Sequence, residues 1–526
     1  MNVVPPLHFC ASSMNWVGTD STPSLTDLHL GRSTVRDGVE RVLTNAFGKD
    51  GFHSVPQQTL RWTTDWKSNG GNTEAFGFSR RPSRVCQTPQ SKVRDAVERV
   101  PAKSMIVTRV GTTWALFILL LALNTSAQDW ARFRGPNGTG VSHAKTIPTQ
   151  WTEKDFNWKV ALPGVGHSSP VIFGDKVFVT SAQESPGKVF VLCLRVEDGG
   201  VLWKREFPFV PFEKHKFNTF ASATPAVDGR RVYVAWNTPE HYNLMAFDHD
   251  GKTLWEADLG PFKSQHACGT SPILYRDKVI LGSEQDGESA LFGVDAATGK
   301  VRWRTPRQTA VTAYSTPCLF EPEGQKPVVI FNSQAHGISA IDPDNGKVVW
   351  EYAKAFDKRS VSSPVIASGL IIGSCGSGGG GNYVVAVRPG NPAKRIEPKL
   401  AYEIRKSAPY VPTSVSVADL LFLWSDAGIV SCVHAPSGEI RWQERVGGGK
   451  ESFFGSPICV DSRLFCISST GTVFVVAAAE QFKELASYSF NELAHTTPAV
   501  ADGTLYIRTA SHVISIGGKT KAVSLK

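Results

Sequence analysis

The sequence repeats one short phrase: an acidic residue, a turn containing glycine, and a strand that ends in tryptophan. The clearest copy is DAATGKVRW at residues 295–303, and related copies are VEDGGVLW, DHDGKTLW, DPDNGKVVW and HAPSGEIRW. The first four tryptophans of this series, Trp203, Trp255, Trp303 and Trp350, follow one another at steps of 52, 48 and 47 residues. A period of this length is typical of repeat architectures, so the fold must be built from copies of one unit.

Each phrase is followed, after a variable gap, by Ser/Thr-Pro and short apolar runs separated by Gly, Asp or Asn turns. Examples are SSPVIFGDKVFV and TSPILYRDKVIL. Short Val/Ile/Phe-rich runs at regular spacing are typical of antiparallel strands, here about four per unit. Eight units begin near these residues: Ser168, Ser222, Thr270, Ser315, Ser362, Thr413, Ser456 and Thr496.

The eighth unit stops at about Ile516 without its turn and terminal tryptophan. The missing piece stands before the first unit, as FNWKVALPG at residues 156–164. Pairing this N-terminal strand into the last sheet closes a ring and removes the exposed edges of an open array. The sequence therefore predicts an all-β, eight-bladed β-propeller of four-stranded antiparallel blades over residues 156–517, preceded by an N-terminal segment at 128–155 and followed by a tail at 518–526.

The repeated tryptophans are predicted to be structural, because packing recurs in every blade whereas catalysis needs one asymmetric place. Each should pack between adjacent sheets, with its indole N–H bonded to a neighbouring backbone group. Tyr402 and Tyr488 stand where the fifth and seventh units lack tryptophan. The predicted blade-docking residues are Trp158, Trp203, Trp255, Trp303, Trp350 and Trp442.

The first 127 residues show no repeat. Residues 1–104 are rich in polar residues and glycine, and we interpret them either as disordered or as an over-extended reading frame upstream of Met105. From Met105 the chain has Arg109, an apolar run of about ten residues, and the small residues TSA, which is typical of a secretory signal peptide at 105–127. The alternative is a single-span anchor, although the run is short for a membrane span. We expect a periplasmic or secreted protein without a stable membrane span after signal cleavage.

Composition excludes several classes of function. The net charge of +9 is spread along the chain without a dense basic tract, so we expect no nucleic-acid partner. The nine cysteines show no metal-ligand spacing and are interpreted as buried free thiols. No catalytic constellation and no metal site emerges from the sequence.

Residues that precede each Ser/Thr-Pro should rim one mouth of the axial channel, where a propeller binds ligands. Since the closing blade lies beside the first, His167 and His495 should be neighbours. The candidate rim residues are His167, His266, Tyr314, Arg359, Tyr410 and His495. The aromatic and basic stretch FPFVPFEKHKFNTF at residues 207–220 is either a partner-binding lip or a loop packed on its own blade.

The phrases DAATGKVRW, DPDNGKVVW and DHDGKTLW, with the Ser/Thr-Pro strands that follow them, resemble the tryptophan-docking repeat of the quinoprotein, or PQQ-repeat, propellers. The segment DWARFRGPNGTGVS at residues 129–142 is similar to the N-terminal part of secreted BamB-like members. The resemblance covers roughly residues 129–516. It implies either a cofactor-free binding scaffold or a dehydrogenase that holds PQQ and calcium on the propeller axis.

The sequence favours the scaffold. It has no Cys-Cys pair, which dehydrogenases similar to methanol dehydrogenase carry over the quinone, and no insert for calcium ligands. It also has no lipobox cysteine after TSAQ, unlike the lipoprotein BamB. We therefore expect an exported, non-enzymatic binding module without cofactor, whose partner is a protein or a cell-surface glycan. The alternative is a PQQ-dependent dehydrogenase that uses the channel mouth.

Overall fold

The computed structural model describes residues 128–518. The predicted upstream extension at 1–104, the predicted signal peptide at 105–127 and most of the C-terminal tail lie outside the described residues. Within residues 128–518, no helix is both long and apolar enough to cross a membrane. The helical turns are short 3-10 segments at Pro136–Gly138, Glu153–Asp155, Ala353–Ala355, Pro392–Lys394 and Gly447–Gly449.

The predicted all-β, eight-bladed propeller is confirmed: eight sheets each contain four antiparallel strands. Blade 1 has strands Val171–Phe173, Lys176–Gln183, Lys188–Arg195 and Val201–Pro208. Blade 2 has strands Ala226–Val227, Arg231–Asn237, Tyr242–Asp248 and Thr253–Asp258. Blade 3 has strands Ile273–Tyr275, Lys278–Ser283, Glu288–Asp295 and Val301–Gln308. Blade 4 has strands Cys318–Phe320, Val328–Ser333, Gly337–Ile341 and Val348–Tyr352.

The second half of the ring continues in the same pattern. Blade 5 has strands Val365–Ala367, Leu370–Cys375, Tyr383–Arg388 and Lys399–Ile404. Blade 6 has strands Val415–Val417, Leu420–Trp424, Ile429–His434 and Glu439–Arg445. Blade 7 has strands Ile458–Val460, Arg463–Ile467, Thr472–Ala477 and Glu484–Ser489. Blade 8 has strands Ala499–Ala501, Thr504–Arg508 and His512–Gly517, and its outer strand is Phe156–Ala161.

The N-terminal strand Phe156–Ala161 pairs antiparallel with His512–Gly517, and Trp158 lies opposite Ser515. Blade 8 therefore takes its outermost strand from the beginning of the propeller and its inner three strands from the end. This pairing joins the two ends of a ring, so that blade 8 gains the fourth strand that the C-terminal sequence does not supply.

Burial follows position within each blade. The second strand of blade 1, Lys176–Gln183, is buried along nearly its whole length because neighbouring blades cover both of its faces. The outer strand Val201–Pro208 alternates instead, with Trp203 buried between exposed neighbours. The hydrophobic core is thus a set of layers between adjacent blades, and one such layer joins Phe178 and Val191 of blade 1 to Phe247 of blade 2. The described cysteines, from Cys193 to Cys466, are free and buried, as the sequence predicts.

The six repeated tryptophans are buried or partly buried between blades, and five of them bond to the turn of the next blade; the sixth, Trp350, is buried beside Gly390. Trp203 Nε1 donates to the carbonyl of His249 at 2.8 Å, and Trp255 Nε1 donates to that of Ala296 at 3.1 Å. The Tyr402 hydroxyl makes the equivalent bond to the carbonyl of Ala435 at 2.7 Å. Matching bonds run from Trp158 to Val196, from Trp303 to Pro343 and from Trp442 to Ala479.

The glycine of each turn lets the backbone approach the tryptophan of the preceding blade. Gly251 has a φ of 81°, and a Cβ placed there would lie 2.5 Å from Cδ2 of Trp203. We expect Gly251→Ala to lower the free energy of unfolding by about 1–2 kcal/mol for the left-handed backbone, and by roughly another 1–3 kcal/mol for overpacking. Denaturant unfolding of the purified chain measures this loss.

Gly174→Ala is the matched control for Gly251→Ala. Gly174 also has a positive φ, 57°, but no atom lies within 4 Å of the Cβ position. Gly174→Ala should therefore lower the free energy of unfolding only by the backbone contribution, about 1–2 kcal/mol. Equal losses for the two variants would contradict the close packing of glycine on tryptophan.

Candidate functional site

The inner end of the propeller is a closed ring of eight hydroxyl side chains, one from each blade. In each case a Ser or Thr backbone N–H donates to the hydroxyl oxygen of the equivalent residue in the next blade, over 2.9–3.3 Å. The last bond, from Thr497 N to Ser169 Oγ, closes the circle. The hydroxyl ring consists of Ser169, Thr224, Ser271, Thr316, Ser363, Thr413, Ser456 and Thr497.

Seven of the ring residues are the Ser or Thr of a Ser/Thr-Pro pair, and Thr413 is followed by Ser414 instead. The following proline fixes its own φ and disfavours the helical conformation of the residue before it. The repeated dipeptide therefore holds this residue in extended backbone at the start of each inner strand. Sequence reasoning used the dipeptide to count blades but missed the hydroxyl, although the signal was present in every unit.

An N-terminal arm, residues 128–142, crosses the face opposite the mouth. It contacts blade 1 through Trp130, blade 2 through Ala131, blade 4 through Asn137, and blade 7 through the parallel strand Val141–Ser142. Phe133 of the arm lines the cavity together with the hydroxyl ring. The arm therefore lies at the inner end of the channel, and we call the cavity between the arm and the mouth the funnel.

Arg134 fastens the arm to the blades. It is fully buried, and its guanidinium donates to the carbonyls of Thr413 at 3.0 Å, Pro457 at 2.8 Å and Ser414 at 2.7 Å. Burial lowers the pKa of Arg134 to about 9, so the group stays charged at neutral pH.

The funnel has a volume of about 610 Å³, which is within the range of small-molecule and peptide side-chain sites. All six rim candidates from the sequence line it, and so do Ser222, Val361 and Phe454. Phe453, the neighbour of Phe454, is instead buried between blades 6 and 7, with its ring centroid 5.5 Å from that of Trp424. The two neighbouring phenylalanines therefore lie on opposite sides of the loop before blade 7, one in the packing between blades and the other on the funnel wall.

Two pairs of histidines lie on the funnel wall. The ring centroids of His167 and His495 are 4.6 Å apart, which brings the first and last blades together. Those of His215 and His266 are 4.8 Å apart. His266 also stacks edge-on against Tyr314 at 5.4 Å.

The long connection between blades 1 and 2 crosses part of the mouth. Phe217 lies 5.4 Å from Phe454 of blade 7 and 6.4 Å from His495, measured between ring centroids. His215 of the same connection bonds through its backbone N–H to the carbonyl of Gln265, before blade 3. Sequence reasoning left this connection undecided between a lip and a packed loop. Its aromatic pattern was a signal, but no local pattern shows which distant blades it reaches.

Among the described residues that line the funnel, Asp426 is the only one with a carboxylate. Its two oxygens accept backbone N–H groups from Tyr410 at 2.6 Å and from Val411 at 3.1 Å. Burial raises the pKa of Asp426 above its usual value. The carboxylate thus orients the loop that carries Tyr410, and its oxygens are already engaged.

The wall also carries a positive charge, on Arg359 before blade 5. The Arg359 guanidinium lies over the Tyr314 ring at 5.8 Å and donates to Gln265 Oε1 at 3.2 Å. Its Nε is buried without a hydrogen-bond partner among the described residues, as is Nδ1 of His495.

Burial holds three of the funnel histidines neutral. It lowers the pKa of His266 to about 4, helped by the charges of His215 and Arg359 against the smaller opposing effect of Asp286. It also lowers the pKa of His495, and it holds that of His167 well below its usual range, helped by His495, Arg508 and Lys214. Protonation of these side chains would therefore work against the folded state.

We expect the free energy of unfolding to fall as the pH falls from about 6.5 to about 4. In that window the unfolded chain binds protons that the folded histidines do not, so stability rises with pH. For His266, which is half-buried, we expect on the order of 1 kcal/mol after solvent screening. Denaturant midpoints between pH 7 and pH 4.5 measure the slope.

His266→Gln should flatten this pH dependence, whereas His143→Gln, at an exposed histidine of the N-terminal segment, should leave it unchanged. If the two variants show the same slope of stability against pH, the pH dependence does not come from His266 in the funnel.

The sequence matches the family described as outer membrane protein assembly factor BamB, over residues 148–315 and 193–444. Together the two ranges cover more than half of the 526 residues. No curated protein matches the sequence.

Among solved structures, the quinohemoprotein alcohol dehydrogenase from Comamonas testosteroni is similar, with a TM-score of 0.56 and 14% identity over 76% of this chain and 82% of that chain. The quinohemoprotein alcohol dehydrogenase ADHIIG from Pseudomonas putida HK5 has a TM-score of 0.52 and 13% identity over 75% and 81%. BamB from Moraxella catarrhalis has a TM-score of 0.49 and 16% identity over 69% and 97%. For the two dehydrogenases, identities of 13% and 14% show similarity of fold and nothing about activity.

The tryptophan-docking repeat, the eight-bladed ring and the match over residues 148–444 agree, and the chain therefore belongs to the PQQ-repeat, BamB-like β-propeller family.

Proposed function

We propose that this propeller is a non-enzymatic protein-binding module that takes a projecting segment of its partner into the funnel. The observation that carries the proposal is a set of four exposed apolar side chains on loops at the mouth end of the blades, which we call the lip; one of them, Phe217, lines the funnel. Their exposed fractions are 40% for Val165, 83% for Val210, 48% for Phe217 and 66% for Leu493. Apolar side chains left in solvent beside a cavity are typical of a protein-binding surface.

The lip is held by backbone contacts. Leu493 and Gly166 both bond to Ala510, through the Leu493 carbonyl at 2.7 Å and the Gly166 N–H at 3.1 Å. Gly166 directly follows Val165, so two of the lip residues are fixed on neighbouring loops of blades 8 and 1. A lip preorganised in this way loses little conformational freedom when a partner binds.

The wall chemistry supports binding rather than quinone-dependent oxidation. Calcium takes six to eight oxygen ligands, largely carboxylates. The funnel wall offers Asp426, whose oxygens already accept two backbone N–H groups. Within residues 128–518, no group of three or more His, Cys, Asp and Glu side chains is placed to hold a metal ion. The residues therefore do not fit a calcium-assisted quinone.

Selection of a random peptide library on the full chain tests the proposal. Selected peptides should lose at least tenfold in affinity for the double variant Phe217→Ala/Leu493→Ser. The matched control is Val301→Ser/Val348→Ser on the outer strands, because both valines are 47% exposed but lie away from the mouth. Peptide binding that survives the lip variant, or that the control removes equally, would overturn the proposal.

Two further experiments distinguish this proposal from the other candidate functions. Binding of oligosaccharides from a glycan array, with no peptide selected, would replace the protein partner by a glycan. Calorimetric titration with PQQ and calcium chloride should show no saturable binding. Tight one-to-one binding that His167→Ala/His495→Ala abolishes would overturn the proposal in favour of a dehydrogenase.

A further inference from the structure

The eight side chains of the hydroxyl ring share an unused hydrogen-bond donor. Each hydroxyl oxygen accepts a backbone N–H from the preceding blade. A hydroxyl group has one O–H donor and two acceptor positions. None of these eight O–H groups donates to an acceptor within residues 128–518, and all eight residues line the funnel.

The N–H bonds strengthen these donors. A hydroxyl that already accepts a hydrogen bond is polarised and donates more strongly. Because the eight residues are buried, line the funnel and surround one axis, neighbouring free O–H groups can donate together to one ligand group at the floor of the funnel. A ring of donors of this kind suits an oxygen atom that carries negative charge.

Two fully buried arginines flank the ring without a carboxylate partner among the described residues. Arg134 donates to the carbonyl of the ring residue Thr413, and also to that of Pro457, which follows the ring residue Ser456. Arg508 donates to the carbonyl of Ser168 at 2.8 Å and to its hydroxyl at 2.5 Å, next to the ring residue Ser169.

The charges of these arginines are incompletely compensated. Nε and Nη2 of Arg508 are buried with no hydrogen-bond partner among the described residues. Burial lowers the pKa of Arg508 to about 9, as it does for Arg134. Burying a guanidinium without a counter-charge is unfavourable. Neither arginine lines the funnel, so each would attract an anion at its floor through charge rather than by direct contact.

We propose that the hydroxyl ring binds an oxyanion on the propeller axis, at the floor of the funnel, as the acidic end of the ligand that enters through the mouth. The ligand group is a carboxylate, from a C-terminus or from an acidic side chain of the entering segment. This inference rests on the proposed function for the source of the anion, but the ring itself is defined by contacts that do not involve the lip.

A cation is the opposite possibility, since each hydroxyl oxygen retains one free acceptor position. The surrounding charges disfavour it. Arg134 and Arg508 flank the ring, and Arg359 lies on the wall above it. The only carboxylate on the described wall, Asp426, bonds to its own loop. Repulsion from the arginines would oppose a metal ion at this position.

Calorimetry of the full chain with sodium acetate and sodium sulfate, at constant ionic strength in chloride, tests the ring. We compare wild type with the triple variants Thr224→Val/Thr316→Val/Thr497→Val and Thr224→Ser/Thr316→Ser/Thr497→Ser. The serine triple keeps the three hydroxyls and should bind as the wild type does, one anion per chain. The valine triple, which is close in shape but lacks them, should bind at least tenfold more weakly.

Equal binding by the two triple variants, or no saturable binding by the wild type, would overturn the proposal. Each valine also leaves one backbone N–H unpaired, so thermal unfolding without anion checks that the variant folds. If it does not fold, wild-type crystals soaked in selenate decide the question. Anomalous density on the axis within the ring supports the site, and density confined to surface lysines overturns it.

Peptides selected through the lip identify the source of the carboxylate. Each is synthesised with a free or an amidated C-terminus, and with Asp and Glu replaced by Asn and Gln. Loss of affinity on amidation assigns the C-terminal carboxylate, and loss on side-chain replacement assigns an acidic residue. Acetate binding in a protein that selects no peptide would leave the ring standing while the proposed function fails, so the two failures are distinguishable.

Discussion

Replacing Arg307 by alanine is expected to lower the free energy of unfolding by about 3–5 kcal/mol, the usual result of breaking a buried ion pair. Arg307 lies on the outer strand of blade 3, and its side chain is 2% exposed. Its Nε donates to Glu284 at 3.0 Å, its Nη1 to Glu351 of blade 4 at 3.0 Å, and its Nη2 to the Ser339 hydroxyl at 2.7 Å. The side chain therefore joins two blades through charged bonds out of solvent.

The loss should be large because the partners stay buried when the arginine is removed. The Glu284 side chain is 4% exposed, so it would lose its charged hydrogen-bond partner while it stays out of solvent. Burial acts to raise the pKa of Glu351, but hydrogen bonds from His336 and Ser339 and the charge of Arg307 together lower it to about 2. Removing Arg307 takes away part of what stabilises the Glu351 carboxylate, while the cost of burying that carboxylate remains.

Arg304→Ala on the same strand is the matched control. Arg304 bonds to Glu288 at 2.5 Å, but the two side chains are 41% and 79% exposed, so the loss should be at most about 1 kcal/mol. Denaturant unfolding of both variants gives the comparison. If Arg307→Ala costs no more than Arg304→Ala, the buried network does not stabilise the junction of blades 3 and 4.

Replacing Arg134 by alanine should have the second large effect, a loss of about 3–4 kcal/mol. The substitution leaves the carbonyls of Thr413, Ser414 and Pro457 without their shared charged donor. It also opens a cavity where a fully buried side chain held the arm against blades 6 and 7. Relief of the buried charge offsets only part of this loss, because the unpaired carbonyls remain out of solvent.

Arg134→Ala should also release the arm, which limited proteolysis measures as faster cleavage within residues 128–142. Arg195→Ala is the control, because Arg195 is a half-exposed arginine that pairs with Asp198 at 2.6 Å on the surface of blade 1. It should cost less than about 1 kcal/mol and leave cleavage of the arm unchanged. An arm that is cleaved no faster in Arg134→Ala than in Arg195→Ala would show that other contacts hold it.

The blade geometry could be predicted because its signals are local. Trp203 and Gly251 each lie within one copy of the repeated phrase, and the contact of Gly251 with the Trp203 ring joins consecutive copies. The rim candidates could be aligned by their offset from Ser/Thr-Pro for the same reason. His167, Tyr314 and His495 stand three residues before a proline, and the other three candidates lie within a few residues of the same rim. All six line the funnel.

Other parts of the site depend on contacts between distant segments. Phe217 lies in an irregular connection after blade 1, yet its ring packs near Phe454 and His495 of blades 7 and 8. Arg134 bonds to Thr413, 279 residues further along the chain. Neither contact has a periodic pattern, since each is made once in the molecule.

The sequence by itself determined the strand pattern, the number of blades and the residue that docks each blade on the next. Those features repeat, and the turns and apolar runs that produce them act over a few residues. Only the tertiary structure decided that the arm lies across one end of the channel, that a lip stands at the other, and that the eight hydroxyls form one ring. Each of these features exists only when the circle of blades is closed, because closure brings residues from opposite ends of the chain around one axis.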